Sequence, residues 1–119
     1  MKTAKIYLPV PPSVNALYFN VPKRGRVKTA LYKNWINSAD ALLMTQKPLP
    51  RIRGRLSVRI TIPAKTRGDA SNRIKAAEDF LVSREITGDD KHNWEVCCKK
   101  QGTECYVEII SLDSQPNMG

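Results

Sequence analysis

Residues 56–62 alternate apolar and polar side chains so regularly that they constrain the whole fold. The apolar series is Leu56, Val58, Ile60 and Ile62, and the polar series is Ser57, Arg59 and Thr61. A period of two is that of a β-strand with one buried face. Pro63 ends the strand, because proline cannot donate to a strand ladder. The buried face of such a strand must be covered by other elements, here by helices.

Two helices are predicted on either side of this strand. The first begins after Thr29, a candidate N-cap, and must end before Pro48. Its apolar positions are Leu31, Trp35, Ala39 and Leu42, with Ile36 and Leu43 beside them. The second runs from about Ala70 to Ser83, and either Asp69 or Ser71 is placed to cap it. Its apolar positions are Ile74, Ala77, Phe80 and Leu81.

Three further strands complete the pattern. Residues 4–8 alternate up to Pro9, whereas the polar and basic residues 20–28 are typical of a loop. Residues 94–99 and 105–110 alternate on either side of a turn at Gly102, which predicts a C-terminal hairpin. The order β-α-β-α-β-β favours an α+β fold, a two-layer sandwich of one mixed four-stranded sheet and two helices. Residues 1–112 are predicted to form this single domain, and residues 113–119 a flexible C-terminal tail.

Length and composition exclude several classes of protein. A chain of 119 residues and 13.4 kDa holds one core, and its 41% apolar content is that of a globular domain. No apolar run approaches the roughly 20 residues of a membrane span, and none precedes Pro9 at signal-peptide length. Cys97, Cys98 and Cys105 are odd in number and lack C-x-x-C spacing, which favours free thiols. We therefore expect a cytoplasmic protein with no membrane partner.

The charge is divided unevenly along the chain. Residues 1–67 hold fourteen Lys or Arg and a single acid, Asp40, for a net charge of +13. Residues 68–119 hold six bases and ten acids, a net charge of −4, and the total is +9. A basic surface attracts polyanions, although a solvated basic face with no partner has the same composition. Carboxylates concentrated in a nucleic-acid-binding protein indicate a divalent cation between them and the phosphates, as in a metal-dependent nuclease.

The candidate catalytic acids flank the second helix. Asp69 follows the strand at 56–62, and Asp89 and Asp90 lie in a turn after Gly88. Between them, Asn72, Lys75 and Asp79 are spaced three and four residues apart, so they share one helix face. Mg²⁺ binds one to three carboxylates and completes its shell with water and phosphate. Lys75 would lie close enough to contact the scissile phosphate or orient the attacking water.

Each of these residues also has an ordinary structural interpretation. Asp69 is placed to be only an N-cap, and Asp89 and Asp90 to be only turn residues. Lys75 and Asp79 have the spacing of a surface ion pair worth a few tenths of a kcal/mol. His92, the one histidine, is a candidate base but is more typical of a solvated side chain. It is their joint occurrence in a basic chain that favours a metal site.

Three segments, in order, resemble the RusA-type Holliday-junction resolvases. Residues 8–15 (L-P-V-P-P-S-V-N) resemble that family's L-P-x-P-P-S-x-N opening. Residues 69–79 (D-A-S-N-R-I-K-A-A-E-D) resemble its D-x-D-N-x-x-K-x-x-x-D signature, and the pair Asp89-Asp90 follows at the family's spacing. The resemblance extends from Ile6 to about Ile110.

The resemblance implies a homodimeric, magnesium-dependent endonuclease that cuts two strands symmetrically at four-way DNA junctions. Such enzymes occur in bacterial cells and are often carried by phages and prophages. It implies that Asp69, Asp89 and Asp90 hold Mg²⁺, with Mn²⁺ able to substitute and Asp79 a further candidate ligand, and that Lys75 is catalytic. The residues expected to bind DNA are Asn15, Arg24, Arg26, Lys28, Arg67, Asn72, Arg73 and Lys75. Ser71 departs from the family, which has an acid there, so the site lacks one negative charge.

Three functions therefore compete. The first is a nuclease that resolves four-way (Holliday) junctions in recombination and repair. The second is a catalytically weak or inactive junction-binding module on the same fold, suggested by Ser71. The third is a metal-dependent ribonuclease or another basic enzyme of nucleic-acid metabolism, for which the sequence contains no RNA-binding signature.

Overall fold

In the computed structural model, which describes residues 2–113, the predicted α+β sandwich is confirmed. The strands are β1 (Thr3–Tyr7), β2 (Tyr18–Val21), β3 (Gly25–Lys28), β4 (Leu56–Ile62), β5 (Asn93–Lys100) and β6 (Tyr106–Ser111), and the helices are α1 (Ala30–Met44) and α2 (Ile74–Ser83). Four strands form one mixed sheet in the order β1-β6-β4-β5. Strands β2 and β3 form a separate antiparallel pair. Of the predicted tail, only Asp113 is among the described residues.

The core lies between the sheet and the two helices. Val58, Ile60 and Ile62 of the central strand β4 are completely buried, as are Val107 and Ile109 of β6. The helices cover this face with two buried aromatic rings, Trp35 of α1 and Phe80 of α2, whose centroids lie 5.5 Å apart in an edge-to-face arrangement. The period-two pattern of β4 therefore indicated this covered face correctly, but the expectation of a single buried face is wrong, because Ser57 and Thr61 on the opposite face are buried as well.

The predicted C-terminal hairpin is wrong, because β4 lies between β5 and β6. Strand β5 pairs with β4 in parallel, and β6 pairs with β4 antiparallel on its other side. The connection crosses the end of β4, where Gln101 donates to the Ile62 carbonyl and Ala64 donates to the Gly102 carbonyl, each at 2.9 Å. Parallel pairing needs the crossover that α2 provides. A turn between two apolar runs does not reveal that a third strand separates them.

The segment predicted as a loop, residues 20–28, belongs instead to a β-hairpin that begins at Tyr18. We call residues 18–28 the basic hairpin, because it carries Lys23, Arg24, Arg26 and Lys28. Its tight turn has positive φ at Lys23 (67°) and Gly25 (74°). Phe19 pairs with Val27 on one face and stays half exposed. With so little apolar alternation, the sequence offers no clear strand signal here.

Both helices end where the sequence predicts, but the start of α2 and the buried face of α1 differ from the prediction. Thr29 caps α1, its hydroxyl accepting from the Tyr32 N–H at 3.1 Å, as predicted. The buried stripe of α1 includes Tyr32, whereas Leu31 is 54% exposed. The second helix begins at Ile74, and Ala70–Arg73 form a single 3₁₀ turn before it. Neither Asp69 nor Ser71 accepts a capping hydrogen bond at these starts, so that prediction is wrong.

A side chain caps one edge of the sheet, and an exposed tryptophan lies on the other. Strand β1 is an edge, and the Gln46 amide accepts from the Tyr7 N–H (2.7 Å) and donates to the Tyr7 carbonyl (2.9 Å). Strand β5 is the other edge, and its Trp94 is 64% exposed, with the Arg55 guanidinium 4.9 Å from the ring centroid. The three cysteines are free thiols, as predicted. No helix within residues 2–113 is long and apolar enough to cross a membrane.

Candidate acidic site and nucleic-acid interface

Lys75 lies among carboxylates at the start of α2. Its Nζ is 3.2 Å from Oδ1 of Asp79, one turn further along the helix, so the predicted ion pair forms. The hydrogen bond with Asp79 is the main cause that raises the pKa of Lys75, and the charges of Asp90 and Glu78 act in the same direction. Lys75 is therefore a stable cation at neutral pH, suited to hold a phosphate rather than to accept a proton.

The Asp89-Asp90 turn is fixed against α2 by an amide. Asn93, the first residue of β5, donates from Nδ2 to Oε2 of Glu78 at 2.8 Å. The Asp89 carboxylate accepts from the Lys91 N–H at 3.1 Å, which lowers its pKa, so Asp89 does act as a turn residue. Asp90 begins the short 3₁₀ turn that follows. The link between Glu78 and Asn93 therefore holds the start of β5, directly after the Asp89-Asp90 turn, against α2.

Asp69 lies at the other end of the loop that follows β4. Gly68 before it has φ +84°, a conformation that favours glycine, and its carbonyl accepts from Lys100 Nζ at 2.5 Å. The Asp69 carbonyl accepts from the Asn72 N–H at 3.1 Å, but its carboxylate makes no capping hydrogen bond. Asp69 is exposed, as is Ser71. The side chain of Asp69 is thus available to a ligand from outside the chain.

The chemistry of these side chains fits a hard cation, but their grouping is incomplete. Carboxylate oxygens are the ligands that Mg²⁺ prefers, and one or two can suffice when water and phosphate fill the other positions. Within residues 2–113, no three Asp, Glu, His or Cys side chains come together as a metal-binding group. Asp69, Asp89, Asp90 and Asp79 therefore do not form a complete protein cage. A cation here would take the rest of its shell from water and from a substrate.

The predicted DNA-binding cations fall into two groups. Arg24, Arg26 and Lys28 are exposed on the basic hairpin, and Arg26 lies 4.2 Å from the centroid of the Tyr18 ring. Arg73 instead braces two loops, donating to the carbonyls of Pro11 and Arg67 at 2.9 Å each. The Arg73 contacts join the proline-rich segment to the loop before Asp69. Sequence reasoning had no signal for that bracing role, since spacing alone does not reveal contacts between distant loops.

The remaining predicted residues lie at the edges of this region. Asn15 is exposed, and its N–H donates to the Ser13 hydroxyl at 3.3 Å. Asn72 is partly buried in the 3₁₀ turn before α2. His92 is exposed, and its N–H donates to the Asp89 carbonyl at 3.1 Å. The positioning pair Glu78 and Asn93 was missed, because neither belongs to a recognisable spacing pattern.

No protein-family model matches this sequence, and comparison with the curated proteins gives no match.

Proposed function

We propose that this protein is a magnesium-dependent, structure-selective endodeoxyribonuclease that resolves four-way DNA junctions in recombination and repair. The proposal joins the similarity to the RusA-type resolvases at residues 8–15, 69–79 and 89–90 with the division of charge. A basic body favours DNA as the polyanion. The compartment consistent with this activity is the cytoplasm of a bacterial cell, with the gene chromosomal, prophage or phage-borne.

One observation carries the proposal furthest. Lys75 is an exposed cation that pairs with Asp79 on the helix following Asp69, and the charge of Asp90 also raises the Lys75 pKa. A lysine beside carboxylates is the arrangement expected where one phosphate is held by a cation of the protein and by a metal ion at the same time.

In this proposal Asp69, Asp89 and Asp90 hold Mg²⁺, which Mn²⁺ can replace, with Asp79 as an additional ligand when Lys75 turns to the DNA. The metal supplies an activated water and offsets charge on the leaving oxygen. Lys75 holds the scissile phosphate as a cation, and Glu78 and Asn93 keep the Asp89-Asp90 turn against the helix. The cations of the basic hairpin, together with Asn15, Arg67, Asn72 and Arg73, orient the DNA backbone.

Two matched cuts require two sites, so we further propose a homodimer. A four-way junction has two equivalent phosphates on opposed strands, and one site per chain cannot cut both at once. A two-fold axis relating two chains would present identical sites to identical phosphates.

A junction-binding protein that cuts poorly is the alternative. It is favoured by the neutral Ser71 at the position of a family acid, and by the absence of a three-carboxylate group within residues 2–113. A serine hydroxyl is a weaker ligand for Mg²⁺ than a carboxylate. The DNA contacts of such a module would be the same.

The proposal is tested by incubating the purified protein with a synthetic four-way junction, with and without Mg²⁺. We expect paired cuts on opposed strands that need the metal, and little cutting of linear duplex or RNA. Tight junction binding without cutting in either Mg²⁺ or Mn²⁺ would support the binding module instead. Cutting confined to RNA would indicate a ribonuclease.

A further inference from the structure

A cleft of about 390 Å³ opens between the basic hairpin, α1 and α2. Its walls include Tyr18 and Lys28 of the hairpin, Tyr32 and Lys33 of α1, and Asp79 of α2. Its volume falls within the roughly 300–1,000 Å³ usual for small-molecule sites. The family resemblance uses Lys28 and Asp79 only for backbone and metal binding, which leaves the aromatic part of the cleft without a role.

The aromatic wall of the cleft is held rigidly. The Tyr18 and Tyr32 rings meet edge to face, with centroids 5.7 Å apart. Tyr32 is buried, and Arg26 lies over the Tyr18 ring at 4.2 Å. Burial is the main cause that raises the pKa of Tyr32 to about 12, so its hydroxyl remains neutral. A ring fixed before a ligand arrives loses little freedom on binding.

The charge that remains in the cleft is positive. Arg84 is neutralised by Asp40, through bonds of 2.5 Å from Nε and 2.6 Å from Nη2, and Asp79 is paired with Lys75. Lys28 and Lys33 are exposed, and neither forms an ion pair with a carboxylate among residues 2–113. A ligand suited to the cleft therefore joins a flat aromatic group to an anion. In a nucleic acid that unit is a nucleotide.

We propose that this cleft binds one unpaired nucleotide of a DNA strand, with its base on the Tyr18 face opposite Arg26, which does not line the cleft, and its phosphate at Lys28 and Lys33. A base inside a duplex has both faces stacked, so only an unstacked base can lie against a tyrosine ring. Asp79 lines the cleft and pairs with Lys75, so the bound nucleotide would lie beside the proposed cutting site. The inference rests on the proposed function for its role: choosing which nucleotide stands next to the cut.

The test compares binding of two single strands at one fixed salt concentration. One is the octanucleotide dT8, and the other has the same backbone with abasic sugars. Wild-type protein should prefer dT8 by about 5- to 100-fold, the range that stacking of a base on an aromatic ring gives. Tyr18→Leu should abolish this preference, whereas the double substitution Lys28→Gln, Lys33→Gln should weaken both strands equally. Lys2→Gln, an exposed lysine at the start of β1, is the matched control and should change neither affinity.

Several outcomes would overturn the inference. The first is that the wild-type protein binds dT8 and the abasic strand equally well. The second is that folded Tyr18→Leu keeps the wild-type preference for dT8. The third is that the double-lysine variant binds each strand as tightly as the wild-type protein does. If Tyr18→Leu does not fold, the wild-type preference for dT8 tests the base contact, and the double-lysine variant, whose two lysines are exposed, tests whether the phosphate lies at this cleft. We also expect dT8 to bind more tightly than free thymidine monophosphate; equal affinities would indicate a free-nucleotide site and refute the DNA assignment.

Failure of the cleft and failure of the nuclease are distinguishable. If the protein prefers dT8 but cuts no junction, the result supports the nucleotide-binding cleft and contradicts the proposed nuclease activity. If the protein cuts junctions with Mg²⁺ but shows no preference for dT8, the result supports the nuclease activity and contradicts nucleotide binding in the cleft.

Discussion

The ammonium nitrogen of Lys75 lies 3.2 Å from a carboxylate oxygen of Asp79, one turn along α2. The pair is half exposed on the lysine side, so solvent screens it. A pair of this kind contributes about 0.2–0.5 kcal/mol to helix stability. The contribution of this pair to the stability of the protein is therefore small.

Replacing Lys75 separates stability from activity. We expect Lys75→Met to change the free energy of unfolding by less than about 0.5 kcal/mol. Junction cutting should fall by about 100-fold or more, as when a group that stabilises transition-state charge is removed. Urea unfolding and single-turnover cleavage measure the two effects. Lys99→Met, an exposed lysine on β5, is the control, and equal cleavage by the two variants would refute the role of Lys75.

The contact between Asp40 of α1 and Arg84 after α2 should contribute to stability in a pH-dependent way. Arg84 lowers the pKa of Asp40 by a hydrogen bond to its carboxylate. A carboxyl group whose pKa is lower in the folded protein stabilises it above the unfolded pKa of about 3.9, and this contribution is lost as the pH falls through the folded value. Both side chains are about a third exposed, so water screens the pair, and Asp40→Asn should cost about 0.5–1 kcal/mol at pH 7 and progressively less as the pH falls below 4.

Urea unfolding at pH 7 and pH 3 measures that difference from wild type. Glu85→Gln is the matched control, because Glu85 forms an exposed ion pair with Arg51 at 3.3 Å. It should cost less than about 0.5 kcal/mol at either pH. A cost for Asp40→Asn that stays constant with pH would exclude the ion pair as its cause.

The cations of the basic hairpin should govern the salt dependence of DNA binding. Arg24→Gln, Arg26→Gln and Lys28→Gln should each lower the slope of log affinity against log salt by about one, since each removes a phosphate contact. Arg51→Gln should leave the slope unchanged, because Arg51 is paired with Glu85. Fluorescence anisotropy with a labelled junction provides the slopes. A wild-type slope near zero would remove nucleic acid as a partner.

The proposed homodimer should have a mass of twice 13.4 kDa in solution. Light scattering at micromolar concentration measures it directly. The apolar side chains exposed in residues 2–113, including Phe19, Leu31 and Trp94, give a partner chain surface to bury. A single-chain mass that junction DNA does not change would contradict the dimer.

Local sequence patterns predicted most of the helices and strands of this fold, but they did not predict which strands pair with each other. The alternation at residues 56–62 identified β4 and its buried face, since that pattern depends only on the strand itself. Strand β6 lies between β1 and β4 because the chain from β5 to β6 crosses the end of β4. The order of elements along the sequence does not reveal such a connection. Leu31 was misassigned because two adjacent apolar positions, 31 and 32, compete for the inner side of α1.

The candidate site divides in the same way. The spacing of Lys75 and Asp79 predicted their contact, because residues four apart on a helix are neighbours. The bond between Glu78 and Asn93, and the bracing of two loops by Arg73, join positions far apart in sequence. The cleft at Tyr18 depends on a hairpin whose weakly patterned strands gave no signal, so sequence reasoning did not find it.

Cleavage of a four-way junction by Asp69→Asn, Asp89→Asn and Asp90→Asn tests the proposed metal-dependent nuclease most directly. In Mg²⁺ each variant should lose most of the wild-type rate while binding the junction as tightly as wild type or more tightly, because a repulsive charge near the phosphates is removed. Glu85→Gln, whose exposed carboxylate pairs with Arg51, should cut at the wild-type rate. Wild-type rates in all three aspartate variants would contradict the assignment of the metal to these residues.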